Sequence, residues 1–188
     1  MGKIVVTEFV SLDGVMEAPG GDDSFARGQW SFEFDRGDDG NEFKTGETME
    51  ADALLLGRRT YDGFAAAWPS RDGEFADKFN TMPKYVVSST LRNPDWTNTT
   101  VLAGDPSETV GALRSETDRT YIVHGSAQLV QSLIENDLVD ELRLMVFPVV
   151  LGTGKKLFGD TSDSKRFKLV DSRPVGGDGV VTLVFERA

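Results

Sequence analysis

The sequence predicts an α/β fold: a mixed, mostly parallel sheet with helices packed against it and an antiparallel hairpin at its C-terminal end. Three observations predict it. Short apolar strands alternate with helical patterns, a glycine or serine turn stands at several strand ends, and the last two strands bracket Gly176-Gly177-Asp178-Gly179. We read one domain over residues 1–188, with no internal repeat and no linker.

Lys3 to Val10 alternates and is rich in branched residues, as a strand does, and Ser11-Leu12-Asp13-Gly14 supplies turn chemistry after it. Residues 17–41, including Asp22 and Asp23, are dense in Gly, Asp and aromatics and predict a long ordered loop, since linkers seldom carry so many aromatics. Phe43 to Glu50 predicts a helix and Ala53 to Leu56 a buried strand. From Arg58 onward, Tyr61, Phe64, Ala65 and Trp68 share one helical face. The pattern then recurs: a helix over 72–81, a break at Pro83, and a strand from Lys84 to Val87 ending at Ser88-Ser89. Asp105-Pro106-Ser107-Glu108 offers an N-cap, a proline at the first helical position and a capping-box glutamate. Thr120 to Val123 is a further strand, followed by His124-Gly125-Ser126 and a helix with a stripe of Leu129, Val130, Leu133 and Ile134. Asp140 to Pro148 alternates as a strand, and Phe167–Arg173 with Val180–Glu186 forms the closing hairpin.

Composition narrows the function. The 188 residues include 39% apolar and 10% aromatic side chains, enough for a sizeable core, and a formal charge of −11 that argues against a broad nucleic-acid or anionic-membrane surface. With no cysteine, disulfides, thiolate nucleophiles and sulfur-ligated zinc are excluded, and a reducing compartment is the natural home. Met1 leads directly into strand pattern without a long apolar leader, so we expect a cytoplasmic protein; Asn98-Thr99-Thr100 then carries no glycan meaning.

In parallel sheets, ligands bind beyond the carboxyl ends of strands, where helix-start N–H groups face outward. Three segments would converge there: Gly57-Arg58-Arg59-Thr60, Val87-Ser88-Ser89, and His124-Gly125-Ser126-Ala127-Gln128. Glycine admits close approach of a phosphate, the helix dipole favours negative charge, and hydroxyl and guanidinium groups complete the cradle. Other motifs fail. Gly154-Lys155 lacks the P-loop's first glycine and hydroxyl, Asp35–Gly46 lacks the carboxylate of a calcium loop, and there is no Gly-x-Gly-x-x-Gly fingerprint. We expect no dedicated metal site. His124, the one histidine, fits a loop-lining role better than that of a triad base.

Gly57-Arg58-Arg59-Thr60-Tyr61 resembles the Gly-Arg-x-Thr-Trp/Tyr signature of dihydrofolate reductases and riboflavin-pathway reductase domains. Ser11-Leu12-Asp13-Gly14, Gly125-Ser126-Ala127, Leu138–Leu142 and Pro148–Gly152 resemble further segments of the riboflavin-type branch, in the same order. The resemblance covers nearly the whole chain. It implies a three-layer α/β/α dihydrofolate reductase-like fold, a cytoplasmic homodimer joined through its C-terminal strands, and NADPH as cofactor. By the same carry-over, Gly57, Thr60 and Val87 belong to the cofactor-binding segments, in which Arg58, Arg59, Ser88 and Ser89 hold the adenosine 2′-phosphate end. Gly125, Ser126, Ala127, Gln128 and Leu129 bracket the pyrophosphate, and the region of Val6, Thr7 and Phe9 lies near the nicotinamide. Two departures stand out: His124 occupies a position where the dihydrofolate branch often has glycine, and the first helix shows no counterpart of that branch's substrate carboxylate. The deaminase signature of the riboflavin pathway is absent from the chain.

The expected function is reduction of a small heterocycle, pterin-like or aminopyrimidine-ribosyl-like as in 5-amino-6-(5-phosphoribosylamino)uracil reductase of riboflavin biosynthesis. The alternative is an NADPH-binding protein without turnover. Hydride transfer asks the protein for orientation, water exclusion and one proton donor. Asp13 and Trp30 are the preferred catalytic pair among the first loops, ahead of Glu17, Glu33 and Asp35. Each has a second reading: Asp13 as an Asx turn closing its loop, Trp30 as core packing. The aromatics Phe32, Phe34, Phe64, Trp68 and Phe147 read as core.

Overall fold

The computed structural model describes residues 1–21 and 24–188; Asp22 and Asp23 lie outside the described residues. The elements run β1 (Lys3–Ser11), α1 (Gly37–Glu50), β2 (Ala53–Gly57), α2 (Arg58–Ala67), α3 (Glu74–Thr81), β3 (Lys84–Val87) and β4 (Thr99–Leu102). They continue with α4 (Pro106–Glu116), β5 (Thr120–His124), α5 (Ala127–Glu135), β6 (Glu141–Phe147), β7 (Phe167–Val175) and β8 (Val180–Arg187). Among the described residues, eight strands form one sheet in the order β4-β3-β2-β5-β1-β6-β8-β7. It is parallel from β4 to β6 and antiparallel at the β6-β8-β7 end, as the alternation of strands and helices predicts.

The period-2 alternation along β1 divides the core. Ile4, Val6 and Val10 pack with Tyr121 and Val123 of β5 and with Leu129, Val130 and Leu133 of α5, whose apolar stripe is the one read from sequence. On the other face, Leu54, Leu56 and Ile122 meet Tyr61 of α2 and Phe79 of α3. A leucine such as Leu133, fully removed from water, contributes about 1.5–3 kcal/mol by its burial. Asp105 caps α4 as predicted, its carboxylate accepting from the Ser107 and Glu108 N–H groups.

Beyond shifts of a residue or two at element ends, three features differ from the sequence reading. The helix expected from Phe43 begins at Gly37, so the last residues of the expected loop are helical; Asp38 and Asp39 in its first turn favour the dipole, although Gly and Asp there read as loop. β4 was not anticipated: Thr99-Thr100-Val101 is a short β-branched run that gains its strand character by pairing with β3. Phe32, expected in the core, is 70% exposed, because the 3-10 helix Trp30–Glu33 turns Trp30 inward instead.

The β1–β5 ladder ends at Thr7↔His124, whereas the β1–β6 ladder continues to Ser11↔Phe147. Residues 8–11 of β1 therefore have no ladder partner on the β5 side. The chain leaving β5 enters α5 on one face of the sheet, and the chain leaving β1 returns as α1 on the other. This is the topological switch of the sheet, where open α/β folds form their binding crevice.

Candidate functional site

Parallel pairing of β2 with β5 and β3 brings the predicted turns to one rim. Val87 stands opposite Gly57 in the β2–β3 ladder, so Ser88 and Ser89 follow directly beside Arg58. The β2 and β5 turns are bonded to each other: the Gly57 N–H donates to Ser126 Oγ at 2.9 Å, and the Ser126 N–H donates to Thr60 Oγ1 at 2.9 Å. Gly125 and Ser126 are both left-handed, with φ of 57° and 63°. Two consecutive residues in that region, the second with a side chain, are a strained conformation of the kind that collects at ligand turns. A side chain at Gly125 would collide with Thr60, its Cβ 2.9 Å from Oγ1.

The charged and hydroxyl groups of the rim divide into engaged and open ones. Arg58 donates through Nε to both Asp62 carboxylate oxygens at 2.8 Å across one turn of α2, while Arg59 is exposed. Ser88 is buried, and its Oγ accepts from the Thr90 and Leu91 N–H groups, which shapes the turn after β3; Ser89 is exposed. Val87, Ala127 and Thr60 are half-buried, Gln128 is exposed, and Leu129 is anchored in the core.

Asp13 and Trp30 belong to the framework around the crevice. The Asp13 carboxylate accepts from the Ser11 hydroxyl and from the N–H groups of Leu151 and Gly152, at 2.7, 3.0 and 2.8 Å. These donors, the Ser11 hydroxyl foremost, pull its pKa down to about 2. It pins the loop after β1 to the loop after β6, the loop-closing reading extended to a second loop. Trp30 is only 2% exposed, donates through Nε1 to the Glu17 carbonyl at 2.9 Å, and meets the Phe147 ring edge-on at 5.4 Å. The ring is thus part of the core and forms no open wall for a heterocycle.

The structure adds Lys44, Glu47 and Glu8, which sequence reasoning passed over, and gives surroundings to Thr7, Phe9 and His124, which it named. Beneath α1, the Lys44 ammonium donates to Thr7 Oγ1 and is paired with Glu47, whose carboxylate is out of solvent and also accepts from the Thr7 hydroxyl. The Lys44 side chain lies over the Phe9 ring at 5.0 Å, and the Arg36 guanidinium lies 5.2 Å from the same ring. On β5, His124 stands opposite Thr7 with its ring 5.3 Å from that of Phe79; burial, aided by the Lys44 charge, holds its pKa well below the ordinary value, and its Nε2 has no hydrogen-bond partner. Glu8, on the opposite face of β1, is 5% exposed, its pKa is driven well up by burial, and its Oε1 has no partner. A charged residue inside a run of Val and Thr was the available signal for Glu8. Lys44 and Glu47 gave none, because their partner on β1 is far away in sequence.

These orphaned polar atoms flank the end of the β1–β5 ladder, and the glycine turns of β2 and β5 stand beside it. Turns opened by Gly57 and Gly125, cationic groups at one end and unpartnered polar groups at the other suit a dinucleotide laid along the rim. A separate hollow of about 340 Å³, lined by Gln131, Phe158 and Lys165 among others, lies against α5, away from the three turns of the rim.

Residues 2–181 match the RibD C-terminal domain. The uncharacterised protein YyaP of Bacillus subtilis is 29% identical over 97% of this chain and 94% of its own length. A putative riboflavin biosynthesis protein from Shewanella sp. PV-4 superposes with a TM-score of 0.80 at 21% identity, covering 99% of both chains. The dihydrofolate reductase of Enterococcus faecalis, solved as a complex with NADP(H), superposes with a TM-score of 0.63 at 17% identity, over 99% of this chain and 96% of the other. The fold is dihydrofolate reductase-like. With the family match spanning nearly its whole length and the sheet, switch point and rim in agreement, the chain belongs to the RibD C-terminal domain family.

Proposed function

We propose that the protein is an NADPH-dependent reductase of a small heterocyclic substrate, pterin-like or aminopyrimidine-ribosyl-like. The observation that carries this reading is the bonded rim, in which Gly57, Thr60 and Ser126 join the β2 and β5 turns beside Arg58 and Arg59. NADPH, when bound, supplies the hydride; the protein binds, orients and keeps water away. Arg59, with Arg58 if it exchanges Asp62 for a ligand, and Ser89 would hold the 2′-phosphate end. The Gly125–Ser126 turn and the start of α5 would face the pyrophosphate. The ring end would enter the crevice between β5 and residues 8–11 of β1.

Titration with NADPH and NADH, followed by tryptophan fluorescence, tests the reading. We expect NADPH to bind more tightly, and the double substitution Arg58→Ala, Arg59→Ala to remove about tenfold or more of that preference, the worth of one charge-assisted contact. Equal affinity for the two cofactors in the native protein would overturn it. The reading without turnover draws on Asp13 and Trp30 both being framework groups. NADPH binding with no oxidation across dihydropterins and aminouracil ribosides would establish that reading instead.

A further inference from the structure

Among the described residues, Glu8 is a carboxyl with no cation of its own. The nearest ammonium, Lys44, is committed to Glu47 and Thr7 beneath α1. Two buried carboxyls therefore share one positive charge, and the pair closer to neutrality is Lys44 with Glu47. A second buried charge without a counter-ion is costly, and a carboxyl in that position keeps its proton. The surroundings agree from each side. His124 on β5 is held neutral by burial, Leu144 stands opposite Glu8 on β6, and the first turn of α5 carries no acidic residue.

As a neutral acid, Glu8 has one acceptor oxygen and one O–H donor. On the acceptor side the Gly125 backbone lies close enough to oppose in part the rise that burial causes. Oε1 is left with no partner on a residue that is 5% exposed. Glu8 is also the first residue of β1 beyond the end of the β5 ladder, beside the left-handed Gly125 turn. An unsatisfied donor at the place where two strands part requires a partner, and among the described residues the fold supplies none.

The rim order assigns what arrives there. If the phosphate-bearing end of a dinucleotide lies at β2 and β3 and its pyrophosphate at the β5 turn, its far ring falls at β1. We propose that Glu8 contacts the cofactor: as a neutral carboxylic acid it donates a hydrogen bond to the carboxamide oxygen of a nicotinamide ring lodged between the end of β1 and the Gly125 turn. The inference rests on the dinucleotide reading above and goes beyond it, since it names the group that recognises the ring.

The test separates the two. Adenosine 2′,5′-bisphosphate carries the phosphate end of the cofactor and no nicotinamide, so its affinity reports the rim alone. Affinities of this probe and of NADPH are measured by calorimetry for the native protein, Glu8→Gln and Glu8→Ala. Glu8→Gln keeps a donor of the same shape that does not ionise, so NADPH affinity should stay within about threefold of the native value, and its ratio to the affinity of the bisphosphate, whose 2′-phosphate titrates alike, should not change with pH. Glu8→Ala should lose about tenfold for NADPH. In the native protein that ratio should fall as the pH rises and Glu8 ionises, because a carboxylate accepts and does not donate. The bisphosphate should bind all three forms alike. Failure of the bisphosphate to bind the native protein would overturn the dinucleotide reading itself. If it binds, and Glu8→Ala holds NADPH as well as the native protein does, or Glu8→Gln shows the native pH dependence, the role of Glu8 is overturned. Should Glu8→Ala not fold, the pH comparison between native and Glu8→Gln decides alone.

Discussion

The Ser126 N–H donates to Thr60 Oγ1, tying the start of α5 to the first turn of α2 across the gap between β5 and β2. Together with the Gly57 N–H to Ser126 Oγ bond, it makes two distant segments a single rim. Thr60→Val keeps the bulk and removes the acceptor. We expect a loss of about 1–2 kcal/mol in urea unfolding, with NADPH affinity reduced as the turn loosens.

Gly125 has little tolerance for a side chain. Its φ of 57° and the 2.9 Å approach of Thr60 Oγ1 act together. Gly125→Ala should cost about 1–3 kcal/mol in the same measurement. The double variant Gly125→Ala, Thr60→Ser should recover part of this if the collision with Thr60 is the larger share, because serine lacks the methyl group at 3.2 Å.

The Lys44–Glu47 pair predicts asymmetry. Glu47 is wholly buried and Lys44 nearly so. Glu47→Ala leaves a buried ammonium uncompensated and should destabilise by about 3–5 kcal/mol, whereas replacing both by well-packed apolar residues should cost much less. Denaturant midpoints of the single and double variants decide this; equal losses would mean that the pair is not desolvated.

Stability should decline on both sides of a mid-pH maximum. The folded-state pKa of His124 lies below its ordinary 6.5, so the unfolded chain takes up the proton first, and stability is lost as pH falls below 6.5. Glu8 acts in the opposite sense. Its folded pKa is raised above 4.5, so its contribution is complete below that value and is lost as pH rises through the folded pKa. Asp13 matters only in stronger acid, losing its contribution between 3.8 and about 2. Unfolding free energies between pH 4 and 9 should show the acid limb flattened by His124→Gln and the alkaline limb flattened by Glu8→Gln.

Trp30 packs with Phe147, Met145 and Leu151 in a further buried cluster at the antiparallel end of the sheet. Trp30→Ala should cost about 3–5 kcal/mol, and Trp30→Phe less, with the Glu17 carbonyl losing its donor. Thermal unfolding checks the order.

Much was legible in the sequence by itself: the alternation of strands and helices, the Asp105 cap, the α5 stripe, the closing hairpin and the three rim turns. Each is written in local periodicity or in turn chemistry, which depend on neighbours within a few residues. The tertiary structure alone decided which carboxyls are charged and which side chains are structural. Glu8 and Glu47 are the same residue type, but one is buried beside a half-buried glycine turn and the other against a buried ammonium, so one is driven toward neutrality and the other is paired. Asp13 became a clamp because Leu151 and Gly152, far along the chain, present their N–H groups to it, and Trp30 became core because Phe147 lies beneath it. Burial and charge partnership are properties of segments brought together by the sheet, and no local pattern in the chain carries them.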